Sequence, residues 1–216
     1  MTSSVPCAAS TLLAGLVDES AALDLVEVAR TPVSVHYETG RDDVPVLCLC
    51  TSTAVRLPNA AVVAALPVGT PGALRVTRWW QPPRPHGLSA ATRRLDVDPS
   101  TLVGSGPGLT PSGDDVLAGA LVAAHAVDHP GLSRLRSASR DALQVRRTTA
   151  VSRGLLTHAL DGWAIPELAG YVEAWCGGAD VDAARGRLLG VGHSSGASLL
   201  AGVHRVVGSE ESRRAA

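Results

Sequence analysis

The hydrophobic period of this chain changes once, at a run of prolines. Ahead of Gln81-Pro82-Pro83-Arg84-Pro85-His86, apolar residues alternate or run in short blocks between turns. Pro32-Val33-Ser34-Val35-His36-Tyr37 alternates, 44–50 is an apolar run, and Leu74-Arg75-Val76-Thr77-Arg78-Trp79 alternates again. Period two is the pattern of strands. Glu38-Thr39-Gly40-Arg41-Asp42-Asp43, Leu57-Pro58-Asn59 and Gly69-Thr70-Pro71-Gly72 read as the turns between them. The prolines end this pattern because proline cannot serve an internal ladder. Beyond them the spacing predicts helices over 112–126, 133–160 with room for a break, 166–176 closed by Gly177-Gly178, 180–189, and from about 194 to just short of Gly208. Residues 209–216 read as a frayed polar tail. The fold expected is α+β: a β-rich lobe over 1–100 packed on a helical lobe over 101–216, as one folding unit.

Composition narrows the function. Of 216 residues, 45% are hydrophobic and 18% charged, the balance of a packed globule. The net charge is −1 and no basic stripe appears, which sets nucleic acid aside as a partner. Every basic residue other than histidine is arginine. Without lysine there is no Schiff-base catalysis, no pyridoxal phosphate attachment and no phosphate-loop lysine. Cys7, Cys48, Cys50 and Cys176 match neither a zinc signature nor a redox pair, and read as small buried hydrophobes in a reduced, cytoplasmic protein. No signal peptide is expected, and the apolar stretch 116–127 is too short to span a bilayer, so no membrane partner is expected either.

Three stretches carry candidate chemistry. The first is Gly104-Ser105-Gly106-Pro107-Gly108-Leu109-Thr110-Pro111-Ser112-Gly113-Asp114-Asp115, a rigid loop feeding an apolar helix. Glycines let a backbone approach a ligand, and a helix N-terminus presents N–H groups to an anion. The plainer account makes Ser112 an N-cap, with Asp114 and Asp115 complementing the helix dipole. Two carboxylates at such a mouth repel a bare anion. A functional role for them is to orient a substrate amide, to bind a cation such as magnesium, or to act as a base.

The second stretch, Gly190-Val191-Gly192-His193-Ser194-Ser195-Gly196, opens a helix with no acid in its first turn, which suits phosphate or carboxylate. It also matches the G-x-S-x-G elbow of serine hydrolases, although only His204 and Glu210 or Glu211 follow to complete a triad. In the third, Arg146-Arg147-Thr148-Thr149-Ala150-Val151-Ser152-Arg153, the threonines can donate to anionic oxygens or merely to their own backbone. His125, His158 and His204 lack metal-ligand spacing, and no residue is assigned as a metal ligand.

Taken in this order, Gly106 to Asp115, Thr148-Thr149-Ala150-Val151-Ser152 and Gly192-His193-Ser194-Ser195-Gly196 resemble the AllH family, whose type member is one of the subunits of the bacterial oxamate carbamoyltransferase. Arg78-Trp79-Trp80-Gln81-Pro82 resembles the tryptophan-proline segment of that family, and the resemblance runs over roughly 75–207. It implies an enzyme of anaerobic allantoin degradation that moves a carbamoyl group between oxalurate and phosphate, giving oxamate and carbamoyl phosphate, together with other subunits. The expected partners are therefore a small anionic substrate, phosphate, and either further subunits or copies of the chain. The catalytic candidates are Asp114, Asp115 and His193. The binding candidates are Gly106, Gly108, Thr110, Ser112, Gly113, Thr148, Thr149, Ser194, Ser195 and Gly196. Two rivals stand beside a carbamoyltransferase: a non-catalytic anion-binding subunit, and a serine hydrolase acting through Ser194.

Overall fold

The computed structural model describes residues 4–17, 23–177 and 180–208; the expected tail and Gly178 lie outside these. It is α+β, with a six-stranded sheet followed by a helical lobe. The strands are β1 (Ser4–Ser10), β2 (Val26–Arg30), β3 (Ser34–Glu38), β4 (Val46–Cys50), β5 (Ala60–Val63) and β6 (Ala73–Trp80), in the order β2-β3-β4-β5-β1-β6. A 3-10 turn (Thr11–Leu13) and the short α1 (Ala14–Val17) follow β1.

Every residue of β4 is buried, which is why 44–50 reads as an apolar run rather than an alternation. One face of β4 turns Leu47 and Leu49 towards Leu13, Val35 and Tyr37. The other carries Cys48 and Cys50 against Ala60. The two cysteines therefore share a face and are small core residues, as their spacing indicates. Pro6 is tolerated in β1 because β5 pairs only from Cys7 onward, leaving that end open on one side.

β4 and β5 are parallel neighbours, in register Cys48↔Ala60 to Cys50↔Val62. A parallel pair cannot be joined by a tight hairpin, so its connection must cross the sheet. Residues 51–59 make that crossing and lay Val55, Leu57 and Pro58 against the helical lobe.

The helices are α2 (Pro99–Leu102), α3 (Ser112–Ala126), α4 (Leu132–Val145), α5 (Ala150–Ala159), α6 (Pro166–Gly177), α7 (Val181–Leu189) and α8 (Ser195–Val207). The single stretch expected over 133–160 is two helices, because Thr149 caps α5 by accepting from Ser152 N at 3.0 Å. The central α3 packs on α8 backbone to backbone: a Cβ at Gly119 would sit 2.1 Å from Leu199 O, and one at Gly202 2.1 Å from Val116 O. Between the lobes, α5 lies on β4 through Gly154, whose absent Cβ would stand 3.1 Å from Val46 Cβ. The proline run becomes an extended strap over the helices. Leu88 N donates to Ala126 O, Arg93 N to Val206 O, and Ala164 N to Pro83 O. No helix among the described residues is long and apolar enough to cross a membrane.

Candidate functional site

Three helices begin at one cavity. Asp115 in the first turn of α3, Ser152 in the first turn of α5 and Ser195 at the start of α8 all line a space of about 190 Å³, with Thr110 beside them. Helix N-termini carry partial positive charge, and here three of them share a focus. The remaining walls are apolar and come from α3, α5, α6, α8 and the 51–59 crossing.

The two adjacent carboxylates do different work. Asp114 is 2% exposed and both its oxygens are engaged. One accepts from Gly104 N at 2.8 Å, and the other from the Thr148 hydroxyl. It thereby ties the glycine loop to the start of α5. Asp115, 6% exposed, lines the cavity, and its Oδ2 has no hydrogen-bond partner among the described residues. Burial pushes its carboxyl up to about 7. The hydroxyl of Ser195 opposes that rise, the charge of Asp114 adds to it, and the hydroxyl of Thr110 opposes it again. The Thr110 and Ser195 hydroxyls are themselves hydrogen-bonded at 2.9 Å, which closes the two glycine-rich stretches on each other. Ser152 is 1% exposed, and its Oγ also lacks a partner among the described residues.

The other candidates take varied places. The α3 N-cap position falls to Pro111, not Ser112, and makes no side-chain cap. The loop uses the first N–H groups of α3 internally: Gly113 N donates to Ser105 O, and Asp114 N and Asp115 N to Pro111 O. Gly106 and Gly108 are exposed, at φ +111° and +96°, conformations that side chains rarely adopt. Packing explains Gly113 and Gly196, where a Cβ would lie 2.2 Å from Leu102 O and 2.0 Å from Leu188 O. Thr149 caps α5 and also donates to Leu109 O. His193 and Ser194 are exposed and do not line the cavity.

The hydrolase elbow fails on topology. That motif needs a strand entering the turn, whereas Gly192-His193-Ser194-Ser195-Gly196 joins α7 to α8. Sequence reasoning passed over Ser152, because the threonine pair ahead of it drew the donor argument. Its signal was its place in the first turn of a capped helix. The contribution of 55–58 had no local signal at all, since it follows from the parallel crossing.

Magnesium takes six oxygens in a near-ideal octahedron, of which one or two are usually carboxylate and the rest water or phosphate. Among the described residues no cluster of three or more His, Cys, Asp or Glu side chains could hold a metal ion. Both oxygens of Asp114 are already committed to Gly104 and Thr148, which leaves Asp115 alone.

No solved structure matches the chain. Residues 102–207, from the end of α2 to the last residue of α8, match the family model described as oxamate carbamoyltransferase subunit AllH. The tryptophan-proline segment 78–82 lies outside that match. All three helix starts at the cavity fall inside it, and the helical lobe is thereby similar to the family of the oxamate carbamoyltransferase subunit AllH.

Proposed function

We propose that the cavity is the ligand site of a carbamoyltransferase-type enzyme or subunit, taking a small ureido or carbamoyl compound such as oxalurate or oxamate, with phosphate as its co-substrate. The observation that carries this reading is the meeting of three helix N-termini around a buried carboxyl group with an unpartnered oxygen. A ureido group offers what such a place lacks. Its N–H groups donate to Asp115, and its carbonyl accepts from the Ser152 and Ser195 hydroxyls.

A carboxyl group that titrates near 7 is placed to move a proton at neutral pH. In the direction from oxalurate, a phosphate oxygen attacks the terminal carbamoyl carbon and the bond from that carbon to the oxamate nitrogen breaks. Asp115 accepts the proton that phosphate loses and returns it to the departing nitrogen, so oxamate and carbamoyl phosphate leave with the proton balance closed. Asp114 is a positioning residue, holding the loop that carries Thr110. The partial positive charge of the helix starts favours the oxyanion formed at the carbonyl.

The family description names a subunit, which favours turnover only with other subunits present. The test is thermal melting of the chain with oxalurate, oxamate, carbamoyl phosphate and phosphate. A ligand at about a hundred times its Kd adds roughly 2.7 kcal/mol. The expected result is a shift that Asp115→Asn abolishes while the variant stays folded. The absence of a shift with all of them, both for the chain alone and for the chain with its partner subunits, would overturn the reading.

A further inference from the structure

The polarity of the cavity is graded along each of its helices. On α3, Asp115 is followed on the same stripe by Ala118 and Val122; on α5, Ser152 is followed by Leu155, Leu156 and Ala159; on α8, Ser195 is followed by Leu199. These spacings of three, four and seven residues keep one face of a helix in view. Each helix thus gives a polar group from its first turn and only apolar ones below it. From Asp115 to Val122 the stripe descends about 10 Å. Trp163, Ile165 and Leu168 add further apolar lining. Among the residues lining it there is no arginine or histidine.

Oxalurate has no apolar part and would occupy only the polar end. A second charged group sent further down would lose its hydration with no cation to meet it, which is costly. An apolar group would instead be released from water. The size is informative too, since an apolar cavity of about 150 Å³ stays dry and accepts benzene. This one, at about 190 Å³, has room for the polar head and a group of about six carbons.

We infer that the preferred ligand of this chain is an amide or ureido compound bearing an alkyl or aryl substituent, its head held by Asp115, Thr110, Ser152 and Ser195 and its substituent lying in the apolar lower cavity. The head assignment rests on the function proposed above, whereas the substituent rests on the lower walls alone.

The experiment is calorimetric titration of the full chain with urea, a series of n-alkylureas from methyl to octyl, and benzylurea, with oxamate and oxalurate in parallel. Affinity is expected to rise about fourfold per methylene to about six carbons and then fall, with benzylurea at least a hundredfold tighter than urea. Leu155→Ala, at a half-buried position, is expected to move the optimum to a longer chain. A flat series in which urea, benzylurea and oxalurate bind alike would overturn the substituent and leave the proposed function standing. A rising series with no binding of oxalurate or oxamate would support the substituent and count against those two compounds as ligands. Failure of every alkylurea and of benzylurea while oxalurate or oxamate binds would overturn the substituent alone; failure of all of them, oxalurate and oxamate included, would overturn the substituent and count against the proposed function as well.

Discussion

Asp114 and Asp115 are neighbours in sequence and in burial, yet their partners make them chemically unlike. Asp114 meets an N–H and a hydroxyl, so its carboxylate is held by the protein itself. Asp114→Ala is expected to cost about 2–5 kcal/mol in urea melts, and Thr148→Val, which removes one of the two bonds, about 1–2 kcal/mol. Asp115 behaves in the opposite way. With its carboxyl raised from 3.8 to about 7, the folded chain keeps a proton that the unfolded chain gives up. The stability it confers is fully present below about pH 4 and is lost as pH rises to 7. His158 has the reverse slope. Burial lowers it from 6.5 to about 4, so stability is lost as pH falls through that window while the unfolded chain takes the proton. In the wild type the two slopes oppose each other between about pH 4 and 6.5. Asp115→Asn should remove one of them. Urea melts across pH 4–8 are then expected to show a variant that gains on wild type towards pH 7 and falls more steeply than wild type towards pH 4. Nothing in the sequence separates these two aspartates; the distinction comes from Gly104 and Thr148, ten and thirty-four residues away.

At the scale of elements, the longer helices were legible, α4 and α5 as one stretch, whereas the short α1 and α2 and half of the strands were not. α3 occupies the residues its apolar pattern predicts, and α8 begins and ends within one residue of expectation. β3, β4 and β6 show as alternation or apolar runs. β5 is four residues of alanine and valine without polar punctuation, β1 carries a proline, and β2 has an almost wholly exposed pattern, so none of these announces itself. For the site, the sequence showed the starts of α3, α5 and α8 but not their convergence. That depends on how closely α3 and α8 approach. Gly119→Ala and Gly202→Ala each place a methyl group within 2.1 Å of a carbonyl oxygen of the facing helix, so the helices must part. Each is expected to lower the melting midpoint by the equivalent of about 2 kcal/mol or more. Gly170→Ala, inside α6 with nothing within 4 Å of the new methyl, is the control and should stabilise by about 0.4–1 kcal/mol.

The two lobes share more than a boundary, since the 81–98 strap, the 51–59 crossing and the seat of α5 on β4 all bind sheet to helices. A single cooperative unfolding transition is therefore expected. The four tryptophans allow a direct check, as Trp79 and Trp80 report on the sheet and Trp163 and Trp175 on the helices. Fluorescence of a chain with only the first pair and of one with only the second should give coincident midpoints, and separated midpoints would mean two independent units. The strand order carries a further consequence. β1 precedes the other five described strands in the chain, yet it lies between β5 and β6, paired through Cys7↔Val63 and Cys7↔Val76. At about 5–20 residues per second, the ribosome needs several seconds to reach the strands that will flank it. During that interval Ser4–Ser10 has neither of the partners that make it a strand, and the sheet is completed only when its oldest segment is filed between its youngest two.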